Sequence, residues 1–392
     1  MYEIVIVGAG LAGSVMAREL AEAGKEVLVL EKRDHIAGNV YDEYMNGVLV
    51  QKYGPHFLTT YSWEIIEYLG QFTDFYPYPV KAKSFVDGRY VDRPYNFRTL
   101  QQLVGPENSQ ELLTKLRESF PNARRVTLSQ LTEHDDALIN KYGKLLYDTL
   151  FVPYVAKQWG LTVEEISPDV INRTTIALGY DAQIDDEDYQ YLPSQGFTEM
   201  VRKMLDHPKI TVQLKTDAVS DISFDKDEVL FRREKIPALF YTGQIDELFS
   251  YRYGELPYRS RHFTNETSYG DAVLPCEVVT YPKEQDYLRR TEFRWFNPVM
   301  DKNANVTVVQ SEYSLPMDKM AEIGNEPYYP VLNDDTVSQH RKYISLSKEY
   351  KNLFLCGRLA DFRYYDMDKV IQRTFEVFQE LSNYLNQWDN QQ

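Results

Sequence analysis

The chain is short of cysteine, histidine and positive charge, and each shortage removes a class of function. Cys276 and Cys356 are its only cysteines in 392 residues. They form no CxxC pair and no His/Cys ligand spacing, so neither a disulfide framework nor a metal site is expected. Nucleophile motifs are missing too: there is no GxSxG, no HExxH and no Cys–His neighbourhood of catalytic type. The net charge of −16 argues against a nucleic-acid or anionic-membrane partner. No apolar run approaches the ~18 residues of a membrane span. The chain opens directly on a strand pattern, which leaves no room for a cleavable signal, and a cytoplasmic protein is expected.

What is present begins at once. Tyr2 to Val7 is an apolar, β-branched run of strand length, followed by Gly8, Gly10 and Gly13 in GxGxxG spacing. The first glycine permits a tight turn, the second a close approach to a pyrophosphate, and the third close helix–strand packing. Ser14 to Ala23 reads as a helix whose N-terminus faces the phosphates. Glu26 to Leu30 reads as a second strand, ending in Glu31, which is placed to accept from a ribose hydroxyl. An acid there favours an unphosphorylated ribose, as in FAD or NAD.

The later chain interrupts this unit. HIAGNVY (His35–Tyr41) and YGPHFLTT (Tyr53–Thr60) read as glycine-bearing loops crossing a cofactor, and they contribute Asn39 and His56. Short alternating strands flank a turn at Asp87-Gly88, and helical periodicity runs from about Asn96 to Glu165. Strands return from Lys209, and a β-rich region covers Tyr251 to Tyr313. Asn352 to Cys356 reads as a strand before Gly357-Arg358, and Asp368 to about Leu385 as a final helix with Asp366 or Asp368 as N-cap. The expected fold is α/β: a discontinuous Rossmann-like FAD-binding domain (1–78, 193–244 and 334–392) with two inserts. One is helical (97–166), the other an antiparallel β-sheet module for substrate (79–96, 167–192 and 245–333).

Three clusters of candidate residues remain. Phe151, Tyr154 and Trp159 in LFVPYVAKQWG are either a core stripe or a stacking platform for a nucleobase. Arg173, Arg289 and Arg358 are either solvated or a guanidinium clamp for a diphosphate. RYYDMD, from Arg363 to Asp368, offers Tyr364 and Tyr365 to a sugar. The chain has 31 tyrosines, enough to furnish both a core and a polar cleft.

In order along the chain, GAGLAG, EKRDHIAGN, KYGPHF, YVAKQWG, FYTGQID, NEPYYPV and GRLADFRYYDMD resemble the blocks of UDP-galactopyranose mutases. The resemblance runs from Glu3 to about Val377. It implies a flavoenzyme interconverting UDP-galactopyranose and UDP-galactofuranose without net redox change. In that family reduced FAD attacks sugar C1 through N5 and forms an adduct, and UDP later returns. It further implies that Arg173 and Arg289 clamp the diphosphate, that Tyr329 and Tyr364 bind phosphate, and that Phe151 and Tyr154 carry the uracil beside Trp159. Arg358 and Asp366 match the flavin and sugar end, and residues from Leu161 to Asn172 a mobile substrate loop. NAD(P)H or another reductant, a UDP-sugar substrate and a homodimer are implied as partners.

Several positions depart from the family pattern. Ala37 replaces a glycine, Thr59 a histidine, Ala177 a second arginine and Ile184 a phosphate-binding tyrosine. Such donors contribute about 1.5–3 kcal/mol each against a buried phosphate. Three alternatives to the expected mutase are therefore carried: action on a related nucleotide sugar, an amine-oxidase-like FAD oxidoreductase, and a protein that binds nucleotide sugar without turnover.

Overall fold

The structure is a computed structural model that describes residues 3–162, 165, 174–180, 189–296 and 305–390. Arg173, Ile184 and most of the expected substrate loop lie outside the described residues. Ile4–Val7 and Val27–Leu30, written IVIV and VLVL, are continuous apolar strands because a parallel sheet buries both faces. They are the middle of a five-stranded sheet with spatial order Ile210–Gln213, Val27–Leu30, Ile4–Val7, Ala238–Tyr241, Leu353–Leu355. Every pairing in it is parallel. Three distant stretches of chain thus build one doubly wound, Rossmann-like frame, and the α/β expectation holds.

The helix after the first strand is Leu11–Glu22, three residues earlier at its start than the sequence pattern implies. Gly13 explains this, since a glycine inside the first helical turn masks the periodicity. Opposite it packs the terminal helix, Met367–Asp389, which starts one residue earlier and ends four residues later than expected. Asp366 occupies its N-cap position without a side-chain cap bond. Asp368 lies inside the first turn, so the alternative of Asp368 as cap is not the one adopted.

Among the described residues the second large sheet has seven strands. Their order is Tyr329–Pro330, Tyr258–Ser268, Thr307–Pro316, Arg289–Glu292, Val278–Thr280, Ala82–Val86, Arg89–Arg93. Its neighbours are antiparallel except Val278–Thr280 against Ala82–Ser84. The stretch 167–192 was expected in this module, yet none of its described residues adds a strand to the sheet. Thr175–Ala177 pairs with Arg125–Thr127 of the helical region, and Tyr189–Pro193 joins Leu58–Thr60 and Phe75–Pro77. Alternation identifies a strand but not its partner, so sequence pattern alone misplaced this segment.

The helical module is punctuated by its caps. Asn96 with Thr99 and Thr127 with Gln130 form capping boxes, and Asp136 accepts from Leu138 N–H and Ile139 N–H. Its last helix begins at Ala137 and is α-helical to Leu146. It widens into a π turn over Tyr147–Phe151, then resumes as Val152–Trp159. Pro153 lies just beyond the π turn. A proline here removes the bond to the Thr149 carbonyl and would clash with it, and the wider turn relieves that clash. Gly160, at φ 64°, ends the helix in the left-handed region.

Candidate active site

A cleft of about 750 Å³ opens between this helix and the seven-stranded sheet. The helix contributes Phe151, Tyr154, Gln158 and Trp159 to its wall. Three of these are the aromatics singled out in the sequence, where helical spacing placed only part of the set on one face. Val152–Trp159 is α-helical with Phe151 at its N-cap, so positions 151, 154 and 159 fall on one broad face and all three reach the cleft. One face of Tyr154 is taken by Arg93, whose guanidinium carbon is 4.9 Å from the ring centroid. Phe151 is nearly fully buried and stacks on Tyr147 at 5.6 Å, so it is both core and wall.

The opposite wall is the sheet. Arg289 stands directly across the antiparallel ladder from Glu312, and their side chains form an ion pair through Nε and Oε2. Arg261 reaches the other oxygen of the same carboxylate, Nε to Oε1 at 2.9 Å, although the angle is too poor for a hydrogen bond. Glu312 is therefore a buried carboxylate between two guanidinium groups, and only Arg289 was named from sequence. Removal from water alone would lower the pKa of Arg289, but Glu312 and nearby tyrosines outweigh it and hold the cation firmly charged. Gly54 packs against this pair: a Cβ there would lie 3.2 Å from Arg289 Nη2 and from Glu312 Oε2. The KYGPHF loop must carry glycine at this point for that reason, and also for its φ of 89°.

Tyr329 and Tyr364 close the floor, stacked at 4.7 Å and tilted by 23°. Trp159 is 6.2 Å from the first ring and 6.0 Å from the second. Arg358 lies over both, at 4.6 and 5.6 Å from the centroids, and donates to the Tyr365 carbonyl at 2.7 Å. Burial pushes the Tyr364 phenol up, so it keeps its proton. Arg358, His56 and Asp366 do not line the cleft. Arg358 supports the tyrosine pair from beneath, and Asp366 sits at the head of the terminal helix.

His56 faces the same region from the loop after Gly54. Its Nδ1 is 2.8 Å from the Gly54 carbonyl, which only an N–H can donate to, so Nε2 is the acceptor in the neutral ring. Removal from water and the charges of Arg358 and Arg289 push its pKa down to about 3.

The dinucleotide end fits its expected occupant. The helix that starts at Leu11 has no side-chain cap and no acid in its first turn, so its N-terminal amides suit a phosphate. A Cβ on Gly38 would come 2.9 Å from the Gly10 Cα, and one on Gly8 would come 2.1 Å from Thr242 Oγ1. Glu31 accepts from Ala9 N–H at 2.8 Å and from Arg33 N–H at 2.9 Å, which aims the carboxylate while lone pairs remain for a ribose diol. Asn39 turns its Oδ1 to Arg33 at 3.1 Å, and Ala37 takes a left-handed φ of 71° where a glycine was expected.

Residues 149–364 match the family model for UDP-galactopyranose mutase, and residues 6–72 that for an NAD(P)-binding Rossmann-like domain. A probable UDP-galactopyranose mutase of Klebsiella pneumoniae is 31% identical, covering 98% of this chain and 96% of its own length. A dTDP-fucopyranose mutase of Escherichia coli is also 31% identical, covering 97% and 98%. The crystal structure of a reduced UDP-galactopyranose mutase superposes with a TM-score of 0.67 at 17% identity, over 98% of this chain and 94% of the other. The chain belongs to the UDP-galactopyranose mutase family.

Proposed function

We propose that the protein interconverts the pyranose and furanose forms of UDP-galactose, using FAD in its reduced form and with no net redox change. The observation that carries the reading is one cleft that joins an aromatic helix wall, an arginine held by a buried carboxylate and a stacked tyrosine pair. These are the three surfaces a nucleobase, a diphosphate and a hexose require. Bound reduced FAD supplies an electron-rich N5 as nucleophile for the anomeric carbon. Phe151 and Tyr154 hold the uracil, with Trp159 beside it. Arg289, braced by Glu312, holds the diphosphate as it leaves and keeps it in place for return. Tyr364, protonated, donates to phosphate or sugar, and Tyr329 stacks on it. Arg173 is proposed as a second clamp, although it lies outside the described residues. His56, Asn39, Glu31 and the glycines hold the cofactor, which NAD(P)H or another donor reduces, in a homodimer.

A related nucleotide sugar is the second reading, favoured by the dTDP-fucopyranose mutase among the relatives and by Ala177 where an arginine was expected. The test is anaerobic incubation of the dithionite-reduced protein with UDP-galactofuranose and, separately, with the furanose form of dTDP-fucose, products being resolved by HPLC. Conversion of the first to its pyranose supports the proposal. Conversion of the second alone moves it to the related sugar, and binding of either without turnover contradicts both.

A further inference from the structure

We propose that Arg125 is a further diphosphate-binding cation beside Arg289 and Arg173, set on the cleft wall by strand pairing opposite Ala177. The proposal rests on the nucleotide-sugar reading above.

Arg125 opens the short strand Arg125–Thr127, which pairs antiparallel with Thr175–Ala177. The register sets Arg125 directly across from Ala177 and Val126 across from Ile176. Side chains alternate along a strand, so Val126 and Ile176 share one face and Arg125, Thr127, Thr175 and Ala177 the other. The first face is sealed in the helical core, with Val126 at 2% and Ile176 at 1% exposure. The second face is the cleft wall, to which Arg125, Thr174 and Thr175 belong. A slip of one residue would bury the guanidinium and expose two apolar groups, so the register is strongly specified.

Local contacts then aim the side chain. Arg125 Nη1 donates to Thr175 Oγ1 at 3.2 Å, along the sheet face. Ala177 is buried and carries only a methyl group, so the space across the ladder is left to the arginine.

The charge of the cleft gives this cation a task. Arg261 and Arg289 share the single carboxylate of Glu312, so the three groups together leave one positive charge. Arg93 stacks on Tyr154 and keeps its charge, and Arg363 and Asp334 also line the cleft. In a chain of net charge −16, each guanidinium on the cleft wall favours a doubly charged diphosphate there. Arg125 adds one, with a fork that matches a phosphate.

The test compares UDP with uridine as calorimetric ligands of the FAD-loaded protein, in wild type, Arg125→Ala and the double variant Arg125→Ala/Ala177→Arg. Loss of one charge-assisted phosphate contact should weaken UDP about 10- to 100-fold and leave uridine within about twofold. Cross-strand partners occupy neighbouring positions on one face, so the arginine at 177 should recover most of the lost UDP affinity. Flavin content and circular dichroism report whether each variant is folded. Unchanged UDP affinity in Arg125→Ala overturns the assignment while leaving the nucleotide-sugar reading intact. Equal loss for UDP and uridine assigns Arg125 to the framework and also overturns it. A wild-type protein that binds no UDP overturns the reading together with the inference.

Discussion

At the scale of single residues, the cleft is governed by how Glu312 is shared. Removing Arg289 deletes the proposed phosphate donor and also leaves a buried carboxylate held by Arg261 alone, on the wall of the cleft proposed for the diphosphate. Arg289→Ala should lower kcat/KM by at least about 100-fold while FAD stays bound. Adding Glu312→Gln to that variant should recover part of the loss, because the neutral amide no longer repels an anionic ligand and leaves the charge of Arg261 uncancelled. Steady-state kinetics of the three proteins decide this, and full activity in Arg289→Ala would remove the arginine from the clamp. His56 carries a pH effect. Its folded pKa of about 3 lies below the usual value of 6.5, so the unfolded chain takes up a proton that the folded one refuses. This contribution to stability is complete above about pH 6.5 and is lost as pH falls toward 3, at up to about 1.4 kcal/mol per unit. His56→Gln should therefore flatten the dependence of Tm on pH between 6.5 and 4. An equal slope in both proteins would count against it.

At the scale of elements, two local devices position the chemistry. Gly13 lets the first helix lie against its strand, since a Cβ there would be 1.9 Å from the Gly8 carbonyl oxygen. The contact is with backbone, which cannot rotate aside. Gly13→Ala should cost about 1–3 kcal/mol and release flavin, read as Tm and as absorbance of the filtered protein. The π turn over Tyr147–Phe151 is the other device. Replacing Pro153 with alanine restores the missing N–H donor and permits an ordinary α-helix. That variant should melt higher yet bind UDP several-fold more weakly, as the cleft-facing helix Val152–Trp159 turns relative to Ala137–Leu146. The first device was legible in the sequence because strand, glycines, helix and acid lie within thirty-three consecutive residues. The second was not: a π turn changes the phase between Ala137–Leu146 and Val152–Trp159 and leaves no mark in the pattern beyond the proline itself.

At the scale of the whole molecule, what escaped the sequence is what depends on pairing over distance. Arg261 and Glu312 meet only because Tyr258–Ser268 and Thr307–Pro316 are neighbours in one sheet. Arg125 and Ala177 meet only across the short ladder that joins the helical module to the stretch after Arg173. One cue was present, in that Arg259 and Arg261 recur at period two in a strand and so share a face. Nothing local said that the face was buried. Seven of the named candidates, Phe151, Tyr154, Trp159, Arg289, Tyr329, Tyr364 and Tyr365, come together around one cleft, whereas Arg358, His56 and Asp366 do not line it. In the proposed reading the frame holds a flavin at the carboxyl ends of its strands, and the cleft takes the diphosphate as it departs and returns. The account's central claim is that this cofactor is used without being consumed. The direct measurement counts products per electron pair: photoreduced protein, freed of excess reductant, is given a large excess of UDP-galactofuranose without oxygen while the flavin spectrum is followed. The account predicts many molecules of UDP-galactopyranose per flavin with the spectrum remaining reduced. One product or fewer per flavin, with the oxidised spectrum returning in step, would contradict it.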